Sequence, residues 1–200
     1  MECSYKGYDF QVNEIGGTML EDEYNKMIDI LETFKPHRIC ELGSGQSTQI
    51  FEKYSSKYNS EFYSIEHDEN WKRNSSIIFP LMDEETSINI GKYEYDSCNK
   101  YVGFEKWLKR QKKFDFVLID GPYGFKKDYK YSRIQILSFI ILNKISDKAV
   151  VMYHDSEREN AKTTLDEFER LVCKNGFSFT KEVMNRDKKR ELTIYNVYKA

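Results

Sequence analysis

The sequence predicts an α/β protein built on a doubly wound, mostly parallel sheet of seven strands, closed by a C-terminal antiparallel hairpin and covered by helices in three α/β/α layers. Three observations predict it. Short apolar runs of strand length alternate with longer segments that carry one apolar stripe of helical period. The run FDFVLID (114–120) is almost continuously apolar, as a strand buried on both faces must be. The last two strand-like runs follow each other with no helix between them.

In order, TMLEDEYNKMIDILETF (18–34) aligns Leu20, Tyr24, Met27, Ile28, Leu31 and Phe34. Thr18 and Glu21 stand in capping-box spacing, and Pro36 ends the helix. RICEL (38–42) reads as a strand, STQIFEKYSSKY (47–58) as a helix and EFYSIE (61–66) as a second strand. A short helix is expected within ENWKRNSSIIF (69–79) and a third strand within SINIGKYEY (87–95). After 114–120, YSRIQILSFIILNKI (131–145) puts Ile134, Leu137, Ile140, Ile141 and Ile145 on one helical face. KAVVMYHD (148–155) is a strand, and AKTTLDEFERLVC (161–173) is a helix with Ala161, Leu165, Phe168 and Val172 in line. GFSFTKEV (176–183) and RELTIYNVYKA (190–200) make the hairpin.

The whole chain, 1–200, reads as one domain: an N-terminal extension and helix over 1–35, then the core over 36–200. GYDFQVNEIGGTML (7–20) is a candidate lid hinged at Gly16-Gly17, and Tyr5, Tyr8, Phe10, Tyr123 and Phe125 are candidate covers for a site. Apolar residues at 40% and charged residues at 32% fit a soluble globular protein. A net charge of −2 gives no global attraction to nucleic acid or to an anionic membrane, so neither is expected as a partner. The basic runs KRQKK (109–113), KKDYK (126–130) and RDKKR (186–190) read as solvated surface. Cys3, Cys40, Cys98 and Cys173 form no C-x-x-C pair, which argues against a zinc site or a disulfide framework and for a reducing setting. With no signal-peptide run and no long apolar span, the expected location is the cytoplasm.

In a doubly wound sheet, ligands bind beyond the carboxyl ends of the strands. Four corners are selected. In ELGSGQST (41–48), Gly43 and Gly45 allow a tight turn and close approach to a ligand, and Ser47 and Thr48 can cap the next helix; Thr48 stands where a dinucleotide fingerprint has its third glycine. Glu66 ends the second strand 21 residues after Gly45, where an acid can accept both hydroxyls of a ribose. Asp120 opens the DGPY turn after the fourth strand. His154, Asp155 and Arg158 follow the fifth.

The E-x-G-x-G turn, the acid at Glu66 and the D-G-P corner resemble those of class I S-adenosylmethionine-dependent methyltransferases, from about residue 36 onward. More narrowly, GSGQST (43–48), IEHDENW (65–71), FVLIDGPYGF (116–125) and YHDSERENAKTTLDEF (153–168) are similar, in that order, to the polysaccharide-biosynthesis methyltransferases typified by plant glucuronoxylan 4-O-methyltransferases. His154, Asp155 and Arg158 fit the H-D-x-x-R part of that family's H-D-x-x-R-x-x-E pattern, but the glutamate falls one residue after Arg158 rather than three; its acidic pair falls on Glu66-His67-Asp68, with His67 where the family tends to have acid. The resemblance implies a Rossmann-like fold, S-adenosyl-L-methionine as cofactor and O-methylation of a sugar, uronic acid, glycan or other small hydroxyl compound. It places Gly43, Gly45 and nearby backbone at the methionine portion, Glu66 at the ribose and Asp96 at the adenine amino group, with Glu41, Ser44, Ser47, Thr48, His67 and Asp120 as further candidate cofactor contacts.

A sugar hydroxyl is a poor nucleophile, so a positioned base is expected, and Asp120 or the His154–Asp155 pair is the candidate. Arg158, with Tyr123, Lys126 or Arg133, is the candidate contact for an acidic acceptor. Asp120, His154 and Asp155 are alternatively ligands for a divalent metal such as magnesium or manganese. Other readings stay open. DGPY also resembles the D-P-P-Y corner of amino-methylating nucleic-acid enzymes; a protein N-methyltransferase, an NAD-dependent oxidoreductase and a non-catalytic fold relative are the remaining ones.

Overall fold

A computed structural model of the chain describes residues 1–12, 19–81, 88–90, 92–122, 129–185 and 190–200. The elements run β1 (Glu2–Tyr5), β2 (Tyr8–Gln11), α1 (Glu21–Phe34), β3 (Arg38–Leu42), α2 (Gln46–Tyr58), β4 (Glu61–Glu66), β5 (Ser76–Ile78), β6 (Ile88–Ile90) and β7 (Tyr93–Tyr95). They continue with α3 (Phe104–Lys109), β8 (Phe114–Ile119), α4 (Gln135–Ile141), β9 (Ile145–His154), α5 (Glu159–Lys174), β10 (Phe177–Met184) and β11 (Leu192–Lys199).

Seven strands form the main sheet in the order β10-β11-β9-β8-β3-β4-β5. The five from β5 to β9 in that row are parallel, while β11 is antiparallel to β9 and β10 to β11. The chain starts the sheet at β3, winds outward to β4 and β5, then returns to lay β8 and β9 on the other side. The reversal of winding opens a crevice between the ends of β3 and β8.

Strand alternation divides the core into two. Ile39, Phe116, Leu118, Val150 and Met152 face α1 and α2, together with Tyr24, Ile28 and Phe51. Cys40, Val117, Ile119, Val151 and Tyr153 face the other way, onto residues of α3, α4 and α5 such as Leu108, Leu137 and Phe168. Each central strand is therefore buried on both faces, which is why it reads as an unbroken apolar run.

Four expectations are corrected. The segment 69–79 holds no helix: the Asp68 carboxylate accepts the Asn70 N–H in a local turn, and Ser76–Ile78 pairs with β4 as an edge strand. SINIGKYEY splits into β6 and β7, an antiparallel pair outside the main sheet, so β5 takes its place as the seventh strand. The cap of α1 is Leu20 rather than Thr18, with the Leu20 N–H donating to Glu23 Oε2 at 2.7 Å; Thr18 lies outside the described residues. The segment 131–145 is helical only from Gln135 to Ile141, because Arg133 and Asn143 take left-handed φ of 52° and 53°, and Ile145 already belongs to β9.

The N-terminal residues, read as an extension, form the hairpin β1–β2. Tyr8 and Phe10 are buried against α1 and α2, with the Tyr8 hydroxyl donating to Glu32, and Phe10 also lines a groove beneath the hairpin. Tyr5 reaches Asp29. Gly16, Gly17, Tyr123 and Phe125 lie outside the described residues.

At the crevice the turns after β3 and β8 touch backbone to backbone. The Asp120 N–H donates to Leu42 O and the Gly43 N–H to Ile65 O, both at 2.8 Å. A Cβ on Gly43 would stand 2.6 Å from Gly121 N, and one on Gly121 would stand 2.6 Å from Gly43 Cα and from the Tyr101 hydroxyl. Gly43 also has φ of +94°. Gly43→Ala should therefore lose about 2–5 kcal/mol, from the left-handed backbone and overpacking together. Gly121→Ala, which carries the overpacking alone, should lose about 1–3 kcal/mol. Urea unfolding of the two variants beside the wild type measures both.

Candidate active site

The first corner is braced from behind by a carboxylate. Glu41 is fully buried in β3 and receives hydroxyl hydrogen bonds from Ser47 at 2.5 Å, Thr48 at 2.7 Å and Ser64 at 2.7 Å. Burial pushes its pKa up to about 7, against the pull of those three donors. Thr48 Oγ1 also accepts the Gly45 N–H at 2.9 Å, so the glycine turn is fixed to the first turn of α2. Glu41, Ser47 and Thr48, expected around a cofactor, spend their polar atoms inside the protein. Gly45 differs: its φ of −172° is ordinary extended backbone, and a Cβ there would meet nothing within 4 Å.

At the second corner the Glu66 carboxylate turns back onto main chain. Its Oε1 accepts from the N–H groups of His67 (2.7 Å) and Asp68 (3.0 Å), and its Oε2 from the Ser44 N–H at 2.8 Å. Burial opposes ionisation, but His67 and these amides hold the carboxyl below its ordinary pKa. His67 Nδ1 lies 2.7 Å from Oε1. The Ser44 hydroxyl has one proton and two acceptors, Trp71 O at 2.8 Å and Glu66 Oε2 at 3.1 Å, so the nearer carbonyl leaves acceptor capacity on Oε2. Asp96, expected at an adenine, is exposed and paired with Lys130 at 3.2 Å. The buried polar side chain of that segment is Asn99. Nearby, the Tyr101 hydroxyl is fully buried beside Gly121 and has no hydrogen-bond partner among the described residues.

The third and fourth corners converge in a buried cluster of charges. His154 Nδ1 lies 2.8 Å from Asp120 Oδ1 and 3.8 Å from Asp155 Oδ2. On the other side of the ring, Nε2 faces Glu23 Oε2 at 3.4 Å. Arg133 Nη2 stands 3.2 Å from Asp155 and 3.6 Å from Asp120, and Arg158 Nη2 stands 2.7 Å from Asp155. Three carboxylates thus meet three cations. Burial alone would lower the His154 pKa; the Asp120 charge and hydrogen bond, with Glu23 and Asp155, raise it to about 10. Asp155 is held below the ordinary range, burial notwithstanding, by His154, Arg133, Arg158 and Arg190. His154 is therefore an imidazolium at neutral pH and cannot serve as the base. Within the His154–Asp155 pair, Asp155 is taken up by the two guanidinium groups. Asp120, 21% exposed, is the carboxylate that reaches the crevice.

Arg133 is not placed to meet an acceptor. It is buried, and its guanidinium donates to Pro122 O at 3.1 Å and His154 O at 2.5 Å as well as to Asp155. Arg158 keeps 21% of its side chain exposed. Tyr123 and Lys126 lie outside the described residues. Glu23 escaped the sequence reading, although one sign was present: it sits four residues before Met27, so a charge stands on the apolar face of α1. Its carboxylate also accepts from Asn185 at 3.1 Å, which ties α1 to the end of β10.

Asp120, His154 and Asp155 offer three ligand atoms within 4.8 Å of one another, the spacing of a metal site. The surroundings do not fit one, because Arg133 already bridges the two carboxylates and Arg158 takes Asp155 as well. At ~4 Å and an effective dielectric constant of ~20, unit charges interact by about 4 kcal/mol, and a dication beside a guanidinium would be repelled by twice that.

A groove of about 650 Å³ runs from the hairpin β1–β2 to the start of α2, lined by Glu2, Ser4, Gln11, Gln46, Gln49 and Arg73. Gln46 follows Gly45 directly.

No protein-family model matches the sequence, and no curated protein sequence matches it. Solved structures do align. That of an O-methyltransferase from Bacillus cereus in complex with SAH superposes with a TM-score of 0.58 at 10% identity, covering 91% of this chain and 83% of that one. The SAH-bound methyltransferase PaMTH1 from Podospora anserina gives a TM-score of 0.54 at 10% identity, covering 89% of this chain and 79% of that one. The chain has the Rossmann-like methyltransferase fold. Within this methyltransferase fold, the charge cluster and the glycine contact occupy the switch-point crevice, where such sheets place their ligands.

The cluster has a pH signature. The folded state holds the His154 proton up to about pH 10, whereas the unfolded chain releases it near the ordinary 6.5. Its contribution to stability is therefore complete below pH 6.5 and lost as pH rises towards about 10. Chemical denaturation at intervals over that range should show stability falling with pH, and His154→Gln should flatten the slope.

Proposed function

We propose that the protein is an S-adenosylmethionine-dependent methyltransferase that acts on a hydroxyl group of a sugar, uronic acid, glycan or other small hydroxyl compound. The observation that carries this reading is the place of Asp120. A partly exposed carboxylate lies at the switch-point crevice, next to the Gly43–Gly121 contact and 2.8 Å from an imidazolium that cannot take its proton at neutral pH.

The residues present suit the cofactor. Gly45 leaves open space at the head of α2, Glu66 Oε2 keeps acceptor capacity for a ribose hydroxyl, and the Tyr101 hydroxyl is a buried polar group in search of a partner. When bound, S-adenosylmethionine supplies a methyl group already activated on a sulfonium. The protein has then to align the acceptor and receive its proton. Asp120 does both: one oxygen is fixed by His154, and the carboxylate accepts the hydroxyl proton as the oxygen attacks. His154, a fixed cation, holds Asp120 in place through Nδ1 while Glu23 faces Nε2.

Arg158 supports the acidic-acceptor version of this reading. Of the cluster's three cations it is the one with appreciable exposure, and a guanidinium binds a carboxylate bidentately. The N-terminal hairpin shares a groove with Gln46, the residue after the glycine turn, and would wall that side of the site.

Calorimetric titration with S-adenosylmethionine and with NAD tests the cofactor. Saturable binding of the first and none of the second is expected, and binding of NAD alone would refute the reading. Gly45→Ala, at the N-cap of α2, should cost about 1 kcal/mol of stability, leave the protein folded and weaken that binding. With a methylated product in hand from a screen of uronic-acid and neutral-sugar acceptors, Asp120→Asn should lower kcat by about 10²–10⁴ and leave cofactor affinity nearly unchanged.

A further inference from the structure

The contacts of Arg133 go beyond those of an ordinary buried ion pair. Its Nε donates to Pro122 O, its Nη1 to His154 O and Ile119 O, and its Nη2 faces both Asp155 and Asp120. Every partner belongs to one of two corners, 119–122 after β8 or 154–155 at the end of β9. A single planar group thus binds three carbonyls and two carboxylates drawn from two strands.

The backbone is bent to deliver it. Arg133 has φ of 52°, and Asp155, its carboxylate partner, has φ of 59°. Left-handed conformations are costly for residues with a Cβ and gather where surrounding contacts over-determine them. The apolar stripe of α4 begins immediately afterwards, so the strained residue is the one that turns a charged side chain inward before the helix starts.

We infer that Arg133 is the resident cation of this site: its guanidinium stands where a divalent ion would bridge Asp120 and Asp155, and it joins the two corners without a metal. The inference goes beyond methyl transfer and does not rest on it. Its basis is the coincidence of three metal-type ligands within 4.8 Å with a buried guanidinium that is hydrogen-bonded to Asp155 and ion-paired with Asp120. A guanidinium cannot be chelated away or lose its proton near neutrality, so the charge at this point is permanent. A lysine ammonium would keep the charge but could not span both corners.

The test is manganese binding, followed by calorimetry and electron paramagnetic resonance on the full chain with no acceptor or cofactor present. The wild type should show no saturable Mn²⁺ binding that Asp120→Asn removes, and neither Mn²⁺ nor a chelator should move its melting temperature. Arg133→Gln should melt lower and bind Mn²⁺ about tenfold or more tightly than the wild type, a factor worth about 1.4 kcal/mol. The added Asp155→Asn substitution should abolish this gain. One-to-one Mn²⁺ binding by the wild type that depends on Asp120 would overturn the inference, as would a folded Arg133→Gln that gains none. Should Arg133→Gln fail to fold, the wild-type titration and its Asp120→Asn control decide the matter alone.

Discussion

Everything at the crevice depends on two glycines that meet with no side chain between them. Gly43 leaves β3 and Gly121 leaves β8, and a methyl on either would strike the backbone of the other. Their contact sets the separation of the two turns, and through it the distance from the glycine turn to Asp120. The same closeness lets the Asp120 N–H reach Leu42 O, extending the pairing of β3 and β8 one step beyond the strands. Glycine is the costliest residue to order. Here that cost admits a carboxylate to a place that a larger residue would have pushed away.

The charge cluster is built on different terms. Burying three carboxylates and three cations gains little net stability, since desolvation offsets most of the attraction. What it achieves is definition. Arg133 ties the ends of β8 and β9, Glu23 brings α1 onto the ring of His154, and Arg158 joins the start of α5 to Asp155. The imidazolium lies between acids on both nitrogens, and it holds one oxygen of Asp120 against the ring. Removing Arg133, a buried tie between Asp120 and Asp155, takes a cation from both carboxylates at once, which is the expensive event.

Sequence reading succeeded where the chain's own pattern decides the outcome. β3 and β4 begin and end where their apolar runs do, and β8 stops one residue short of Asp120. The corners could be found because turn glycines and polar residues stand out after such strands. It failed where distant partners decide. Ser76–Ile78 is a strand only because β4 lies beside it, and Tyr8 and Phe10 are core only because α1 and α2 receive them. Arg133 looked like a surface cation available to a ligand, since nothing local shows that carbonyls from two other strands surround it. Glu41, Ser47 and Thr48 were recognised as a group, but which side of the turn they serve depends on the pleat of β3 and on Ser64 across from it. Glu23 did carry a local sign, a charge on an apolar stripe, and that sign is worth weighing in other helices.

The position of β11 bears on how the charge cluster is assembled. This strand lies inside the sheet, paired on one side with β9 and on the other with β10. Leu192 stands opposite His154, and the Asn185 that grips Glu23 lies 162 residues further along the chain. The ring of His154 is thus framed by the first helix and by the closing hairpin together. The charge cluster is therefore enclosed by segments that lie far apart along the chain. Long-range pairings of this kind form slowly. The contacts that enclose the charges are thus the same ones that dock α1 and the antiparallel strands onto the sheet.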